Sequence, residues 1–351
     1  MANRASYKWH SRLPGSGALS RRALLLGGGA SALHAQKPET IAFDLSLLDD
    51  PAVHNELFFL REHFPQPGGL SSASWKLSIT GAAATPAALS FDEVLALPRR
   101  TLAVTIECAE NPVGGGLVSH AEWTGCSLGA ALAKAQPAAN ARFVRLTGTD
   151  GYNHTIPLAK ALHPDTLLVS SMNGEKLPAP HGFPVRAIVP GWYGMPSVKW
   201  LQRVELMADE PVAAEGYRRQ TRSLLAGARD EGAVSAGGVK SVFTRPLDGA
   251  IFTRRGKFVV RGAAWAGENR VRSVEVSVDG SKTWQPVQLN EANPYAWALW
   301  SWEWKIAAAG EFELAVRATD DRGRQQPGQR DPSRIDGYEW DSWQTIRVTV
   351  S

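Results

Sequence analysis

The last third of the chain is dominated by short segments in which apolar and polar residues alternate. The clearest are "KFVVRGAAW", "VRSVEVSVDGSKTWQPV" and "GEFELAVRATDDRG", and the second of these contains an Asp279-Gly280 pair typical of a hairpin turn. Alternation with a period of two residues gives a β-strand one apolar and one polar face. Five or more such strands at short spacing predict an all-β, immunoglobulin-like sandwich for residues 236–351.

Residues 36–235 combine short strands with short helices. The segments "WKLSITG" and "LAVTIECA" alternate as strands do, whereas "SLGAALAKA" has the apolar spacing of a helix. Ser90 is placed to cap a helix with Glu93 as its capping-box partner, and Asn173-Gly174 indicates a hairpin turn. Because strands and helices do not alternate regularly, we expect a mixed α/β domain here and an α+β class for the whole chain.

The first 35 residues have the composition of an export signal. They contain five basic residues and no carboxylate, and the pair Arg21-Arg22 precedes an apolar stretch that is too short to span a bilayer. This pattern resembles a twin-arginine signal and predicts a periplasmic protein. No later segment is apolar enough to predict a membrane span. Removing the five charges from the formal net charge of +4 leaves −1, so the basic isoelectric point is no argument for binding nucleic acid.

The chain has two cysteines, which lie in different settings. Cys108 ends a strand and precedes the glycine-rich loop "AENPVGGG", whereas Cys126 lies in "WTGCSL" and is predicted to be a packed thiol. We do not expect a disulfide between them. The absence of CxxC and CxxCH excludes a covalently attached c-type haem and a four-cysteine iron–sulfur cluster on this chain. Taken alone, Cys108 is either a buried apolar residue or a soft metal ligand.

Several polar side chains in motif-like surroundings could join Cys108 in one site. Arg61 lies in "FFLREHF", Tyr152 in "DGYNHTIP", His181 and Arg186 in "HGFPVR", and Lys199 in "SVKWL". Guanidinium and ammonium groups bind carboxylates, phosphates and other oxyanions well. The residues therefore suggest a site for an anion or for a phosphate-bearing cofactor.

Six ordered segments together resemble the sulfite oxidase family of molybdenum enzymes. They are "FFLREHFPQP", "ECAEN", "AEWTG", "YNHTIPLAKAL", "MNGEKLPAPHGFPVRAIVPGWYGMPSVKWLQRVEL" and the tail from "TRPLDGAIF" to "TIRVTV". The resemblance implies a molybdopterin domain followed by an immunoglobulin-like dimerisation domain, and hence a homodimer. It also implies an enzyme that oxidises sulfite, or a related small anion, by oxygen-atom transfer. Because no haem or flavin domain is evident on this chain, an external c-type cytochrome is the expected electron acceptor.

The resemblance also implies roles for individual residues. Cys108 would be the protein ligand to molybdenum, Arg61 would orient the anionic substrate, and Tyr152 would hydrogen-bond near the reacting oxygen. His154 has no implied role and is predicted to be structural. The residues expected to hold the cofactor are Arg61, His63, His181, Arg186, Ser197, Val198 and Lys199.

The loop after Cys108 departs from the family pattern. Many members have an asparagine followed by a basic residue, but here Asn111 is followed by Pro112 and then "VGGG". The tail residue Arg334 cannot be placed at the site from sequence. Fewer cations would weaken the binding of doubly charged sulfite. Three alternatives therefore stay open: oxidation of another sulfur compound, reduction of a sulfoxide-type substrate, and an inactive electron-transfer subunit.

Overall fold

The computed structural model describes residues 38–209 and 234–351. The predicted signal at 1–35 lies outside these ranges, as do residues 210–233. Residues 38–209 form twelve strands, three α-helices and two 3-10 helices, the latter at Leu45–Leu47 and Ala179–His181. The strands and α-helices are β1 (Thr40–Ile41), β2 (Leu60–Arg61), β3 (Lys76–Gly81), β4 (Ala87–Ser90), α1 (Phe91–Leu95), β5 (Arg99–Glu107), β6 (Val118–Ser127), α2 (Leu128–Ala133), β7 (Phe143–Gly148), β8 (Asn153–Pro157), α3 (Leu158–Ala161), β9 (Leu167–Met172), β10 (Glu175–Lys176), β11 (Arg186–Ile188) and β12 (Leu201–Met207).

The short helices predicted in the first domain are present. The capping box predicted at Ser90 and Glu93 is formed, yet α1 has only five residues and α2 only six. Both helices end shortly before a proline, Pro98 or Pro137, and the residue before a proline disfavours the helical conformation. The first domain is therefore mostly strand, and the α+β prediction is confirmed only as a two-domain fold with a small helical part.

Two sheets build the first domain. One has the strand order β4-β3-β12-β7-β8, and the other has the order β10-β9-β6-β5 with β11 also paired to β9. Leu77, Leu146 and Val204 of the first sheet are completely buried in one core with Leu168 of the second. Cys126 belongs to the same core, and burial raises the pKa of its thiol to about 11. Both cysteines are free, so the predictions of a packed Cys126 and of no disulfide are confirmed.

The second domain is a β-sandwich, as predicted. Its sheets have the orders β13-β15-β19-β18 and β14-β21-β20-β16-β17, and Val260, Leu314 and Val316 are completely buried between them. The strands are β13 (Lys240–Arg245), β14 (Ala250–Phe252), β15 (Gly256–Trp265), β16 (Val271–Ser277), β17 (Gln285–Pro286), β18 (Gln288–Leu289), β19 (Ala298–Ile306), β20 (Gly310–Asp320) and β21 (Gln344–Val350).

An apolar cluster joins the two domains next to the strand that ends at Glu107. Trp265 and Trp297 of the second domain pack with Val104 and Ile106 of β5. The backbone N–H of Trp297 donates to Thr105 Oγ1 at 2.8 Å. The second domain therefore supports β5, the strand that presents Cys108.

None of the helices in the described ranges is long and apolar enough to cross a membrane.

Candidate functional site

A cavity of about 800 Å³, which includes space open to solvent, lies beyond the end of β5. The structure brings all nine predicted site residues into its wall, although their individual roles stay predictions. They are Arg61, His63, Cys108, Tyr152, His181, Arg186, Ser197, Val198 and Lys199.

The loop that carries Cys108 is held by its own backbone and by Asn111. The Cys108 N–H donates to the Leu117 carbonyl at 2.9 Å, and the Asn111 N–H donates to the Cys108 carbonyl at 2.9 Å. The Asn111 side chain accepts from the Leu117 N–H at 2.9 Å, which closes the loop. Gly116 packs directly against the backbone of Phe43, where a Cβ would collide with the Phe43 carbonyl. Because Gly116 has no side chain, the segment between β1 and β2 that contains Phe43 can pack over the loop.

Glu107, immediately before Cys108, is the centre of a buried polar network. Its carboxylate accepts from Lys240 Nζ at 2.6 Å, from Trp265 Nε1 at 2.9 Å and from the Asn111 amide at 3.0 Å. Lys240 and Trp265 belong to the second domain, so two of the three hydrogen-bond donors to Glu107 come from the β-sandwich. The sequence analysis did not find this network, because Glu107 and Lys240 lie far apart along the chain.

The Cys108 thiol faces the cavity from a half-buried position. Burial raises the pKa of this thiol, while the nearby charge of Arg61 acts in the opposite direction. A thiolate is the form that binds a metal, and a bound cation strongly favours it. Cys108 is therefore suited to a soft metal ion and poorly suited to exist as a free thiolate.

Arg61 lies beside Cys108 but is already paired. Its Nη2 and Nε atoms donate to Glu110 Oε2 at 2.7 and 3.3 Å. Burial disfavours the guanidinium charge, but the bonds to Glu110 outweigh this effect and raise the pKa of Arg61. Glu110 also lines the cavity. Sequence analysis missed Glu110, although an acidic residue two positions after the cysteine was visible in "ECAEN".

Arg186 is a buried cation in the same cavity wall. It donates from Nη1 to the His181 carbonyl at 3.0 Å and from Nη2 to the Ser197 carbonyl at 2.8 Å, and it stacks on Trp123. Burial lowers its pKa to about 9. Among residues 38–209 and 234–351 no carboxylate pairs with it, and its buried Nε atom has no hydrogen-bond partner. An uncompensated buried charge is costly, which indicates that an anion belongs beside it.

His181 is neutral and fixed in orientation. Its Nε2 atom lies 2.7 Å from the Asn55 carbonyl, so this nitrogen carries the proton, and burial lowers the pKa of the ring to about 4. The next residue, Gly182, has a φ of 111°, a conformation that favours glycine. A Cβ there would crowd Arg186 and Lys199 at 3.0–3.1 Å. This glycine therefore permits the close packing of the three cavity segments.

Lys199 is paired with Glu62, one of the carboxylates of the cavity wall. Its Nζ atom donates to Glu62 Oε1 at 3.1 Å and to the Pro180 carbonyl at 3.0 Å. Burial lowers its pKa to about 8, although Glu62 acts to raise it. Trp200, which follows, has a φ of 49°, a sparsely populated conformation for a bulky residue. Backbone strain of this kind is common at functional sites.

Tyr152 and His63 lie close together in the same wall. The Tyr152 hydroxyl donates to the Met195 carbonyl at 3.1 Å, and its ring lies 5.1 Å from that of His63. His154 is buried on β8 and does not line the cavity, in agreement with its predicted structural role. Arg334 is absent from the wall as well, since its guanidinium pairs with Asp336 and Glu339 in a loop of the second domain.

This wall fits a metal-bearing cofactor that carries a phosphate. The fit rests on the unpartnered Nε of Arg186, on the thiol of Cys108 and on the cavity between them. Arg186 offers a buried positive charge to a phosphate, and Cys108 offers one soft ligand to a metal. The polar atoms of His181, Ser197 and Lys199 lie in the same wall.

Comparisons with known proteins agree with this chemistry. Residues 63–215 match the family model described as oxidoreductase molybdopterin binding domain, and residues 233–351 match the Mo-co oxidoreductase dimerisation domain. The chain is similar to the sulfite oxidase of Gallus gallus, with 34% identity over 311 residues, which cover 78% of this chain and 67% of that protein. It is 33% identical to the mitochondrial sulfite oxidase of Homo sapiens over 338 residues, which cover 85% of this chain and 61% of the relative.

A solved structure shows the same overall fold. The sulfane dehydrogenase SoxCD from Paracoccus pantotrophus aligns with a TM-score of 0.80 at 24% identity, covering 93% of this chain and 96% of that one. The chain spans 61% to 67% of the length of the two sulfite oxidases. Taken with the two family models, these similarities show that the chain belongs to the sulfite oxidase family of molybdenum–molybdopterin oxidoreductases.

Proposed function

We propose that this protein oxidises sulfite, or a closely related small sulfur oxyanion, by oxygen-atom transfer. The observation that carries the proposal is the placement of Cys108 and Arg61 side by side in the wall of one cavity. The names of the relatives, which are sulfite oxidases, support the same reaction. They do not favour a sulfoxide-type reductase or an inactive electron-transfer subunit.

The cofactor would be held at two ends of the cavity. Arg186 would bind its phosphate, with Lys199 and His181 beside it, while Ser197 and Val198 would contribute the wall between them. Cys108 would bind the metal through its sulfur. When bound, the molybdenum cofactor supplies a two-electron redox centre able to transfer an oxygen atom.

The residues near Cys108 would position the substrate. Arg61 would bind an anionic oxygen of sulfite and orient its sulfur towards the metal side of the cavity, which reduces the entropic cost of the reaction. The Tyr152 hydroxyl lies on the same wall and would hydrogen-bond a substrate oxygen. Overall, sulfite and water give sulfate, two protons and two electrons. A one-electron acceptor must therefore be reduced twice for each sulfite oxidised.

The electron acceptor, the location and the oligomeric state belong to the same proposal. We propose an external c-type cytochrome as the acceptor, reached after export to the periplasm by the twin-arginine route. The segment at 233–351 matches a dimerisation domain, which supports a homodimer with two-fold symmetry.

Steady-state kinetics with purified holoenzyme test the reaction. We expect sulfite-dependent reduction of cytochrome c, and no oxidation of a reduced dye when a sulfoxide is supplied. Arg61→Met should raise the KM for sulfite by roughly tenfold or more, the loss expected for a charge-assisted contact. Arg347→Met, which removes an exposed arginine of the second domain, should leave the KM unchanged. Holoenzyme that reduces a sulfoxide but ignores sulfite would overturn the proposal.

A further inference from the structure

The charges of the cavity wall balance almost completely before any ligand binds. Among the described residues, the wall contains three basic side chains, Arg61, Arg186 and Lys199, and three carboxylates, which are Glu62, Glu110 and Asp150. His63 and His181 add no charge near neutral pH, because burial lowers the pKa of both rings. A site built to hold a doubly charged substrate would be expected to carry a surplus of positive charge.

The pairing of these groups divides the wall into two parts. Arg186 has no carboxylate partner in the described ranges, and Lys199 lies 3.1 Å from Glu62. Both lie in the part of the wall that would hold the cofactor phosphate under the proposed function. Arg61 is then the cation left for a substrate, and Glu110 lies 2.7 Å from it.

We infer that Glu110 determines substrate specificity by offsetting the charge of Arg61, so that the site prefers singly charged sulfur substrates, including singly protonated sulfite, over dianions. The inference rests on the proposed function only in assigning Arg61 to the substrate. The Glu110 side chain is 39% exposed and that of Arg61 is 31% exposed, so the pair stands at the open side of the cavity. Any anion that approaches Arg61 also meets the Glu110 carboxylate.

Calorimetric titration of the holoenzyme with two anions tests this inference. Sulfate is a dianion, and methanesulfonate is a monoanion of similar size. At low ionic strength, Glu110→Gln should tighten sulfate binding by about tenfold and methanesulfonate binding by about threefold, because the repulsion removed scales with the charge of the ligand. High salt should reduce both effects.

Glu275→Gln is the matched control. Glu275 forms a partly buried pair with Arg317 at 2.9 Å in the second domain, and the substitution makes the same change in net charge away from the cavity. It should leave both affinities unchanged. If Glu110→Gln shifts both anions equally, or shifts sulfate less than twofold relative to Glu275→Gln, the inference is wrong.

Wild-type protein alone gives a second measurement, in case Glu110→Gln does not fold. The wild type should bind methanesulfonate at least as tightly as sulfate, since Arg61 and Glu110 together present little net charge to a dianion. A preference for sulfate above tenfold would overturn the inference. These titrations measure binding and do not depend on turnover. An enzyme that does not oxidise sulfite would fail the kinetic test of the proposed function, whereas a wrong inference about Glu110 would show only in the anion affinities.

Discussion

Glu107 and Lys240 form a buried ion pair, with 2.6 Å between Oε1 and Nζ, that connects the two domains directly behind the metal-ligand candidate Cys108. The two side chains are only 5% and 4% exposed. Trp265 Nε1 and the Asn111 amide also donate hydrogen bonds to the Glu107 carboxylate. The second domain therefore contributes to the geometry of the site.

Removal of Lys240 should be strongly destabilising. Lys240→Met leaves the Glu107 carboxylate buried without its counter-charge, and we expect a loss of about 3 kcal/mol in the free energy of unfolding. Denaturant titration measures this loss. Lys257→Met, which breaks an exposed pair with Glu303, should cost less than about 1 kcal/mol.

The double variant Glu107→Gln/Lys240→Met separates charge from packing. Because it removes both charges, it should be more stable than Lys240→Met alone. If the double variant is less stable than the single one, the ion pair is not the source of the loss.

Arg186 should be essential for retaining the cofactor. It offers a buried charge without a carboxylate partner in residues 38–209 and 234–351, so Arg186→Met should weaken cofactor retention by about a hundredfold, which is the loss of one or two charge-assisted hydrogen bonds. The molybdenum and pterin content of protein purified after dilution measures this change. Arg186→Lys should retain more cofactor than Arg186→Met, and equal retention by both would argue against a bound phosphate.

Acid should destabilise the protein between pH 6.5 and pH 4. Burial lowers the pKa of His120, His154 and His181 to about 4. Between these pH values the unfolded chain binds protons that the folded protein does not, so the free energy of unfolding falls as the pH falls. The fully developed effect is about 3 kcal/mol for each histidine.

Thermal unfolding across this pH range tests the assignment. His120→Gln can keep the hydrogen bond to Thr105, and it should flatten the dependence of Tm on pH even if it lowers Tm itself. His54→Gln, at an exposed position, should leave the slope unchanged. A slope that His120→Gln does not alter would show that other groups cause the acid sensitivity.

The local features of the fold could be predicted from sequence. The capping box at Ser90, the turn at Asn173-Gly174 and the sandwich strands depend on residues close together in the chain, and each is present. The helices were also expected to be short, and α1 and α2 have only five and six residues.

The site was predictable as a set of residues but not as a network. Motif resemblance found the nine residues of the wall, since they lie in conspicuous segments. It did not find the Arg61–Glu110 pair or the Glu107–Lys240 pair, which join positions 49 and 133 residues apart. Such pairs depend on how strands and loops meet in three dimensions, and charge alone does not select a partner among so many acidic residues.

The central claim is that Cys108 supplies the protein ligand to molybdenum. X-ray absorption at the molybdenum edge of purified holoenzyme, compared with Cys108→Ser, tests this claim most directly. We predict close to one molybdenum per chain in the wild type and one fewer sulfur ligand in the variant, with the fold unchanged. Folded wild-type protein from a host that makes the cofactor, if it contains no molybdenum or has the same sulfur count as Cys108→Ser, would contradict the account.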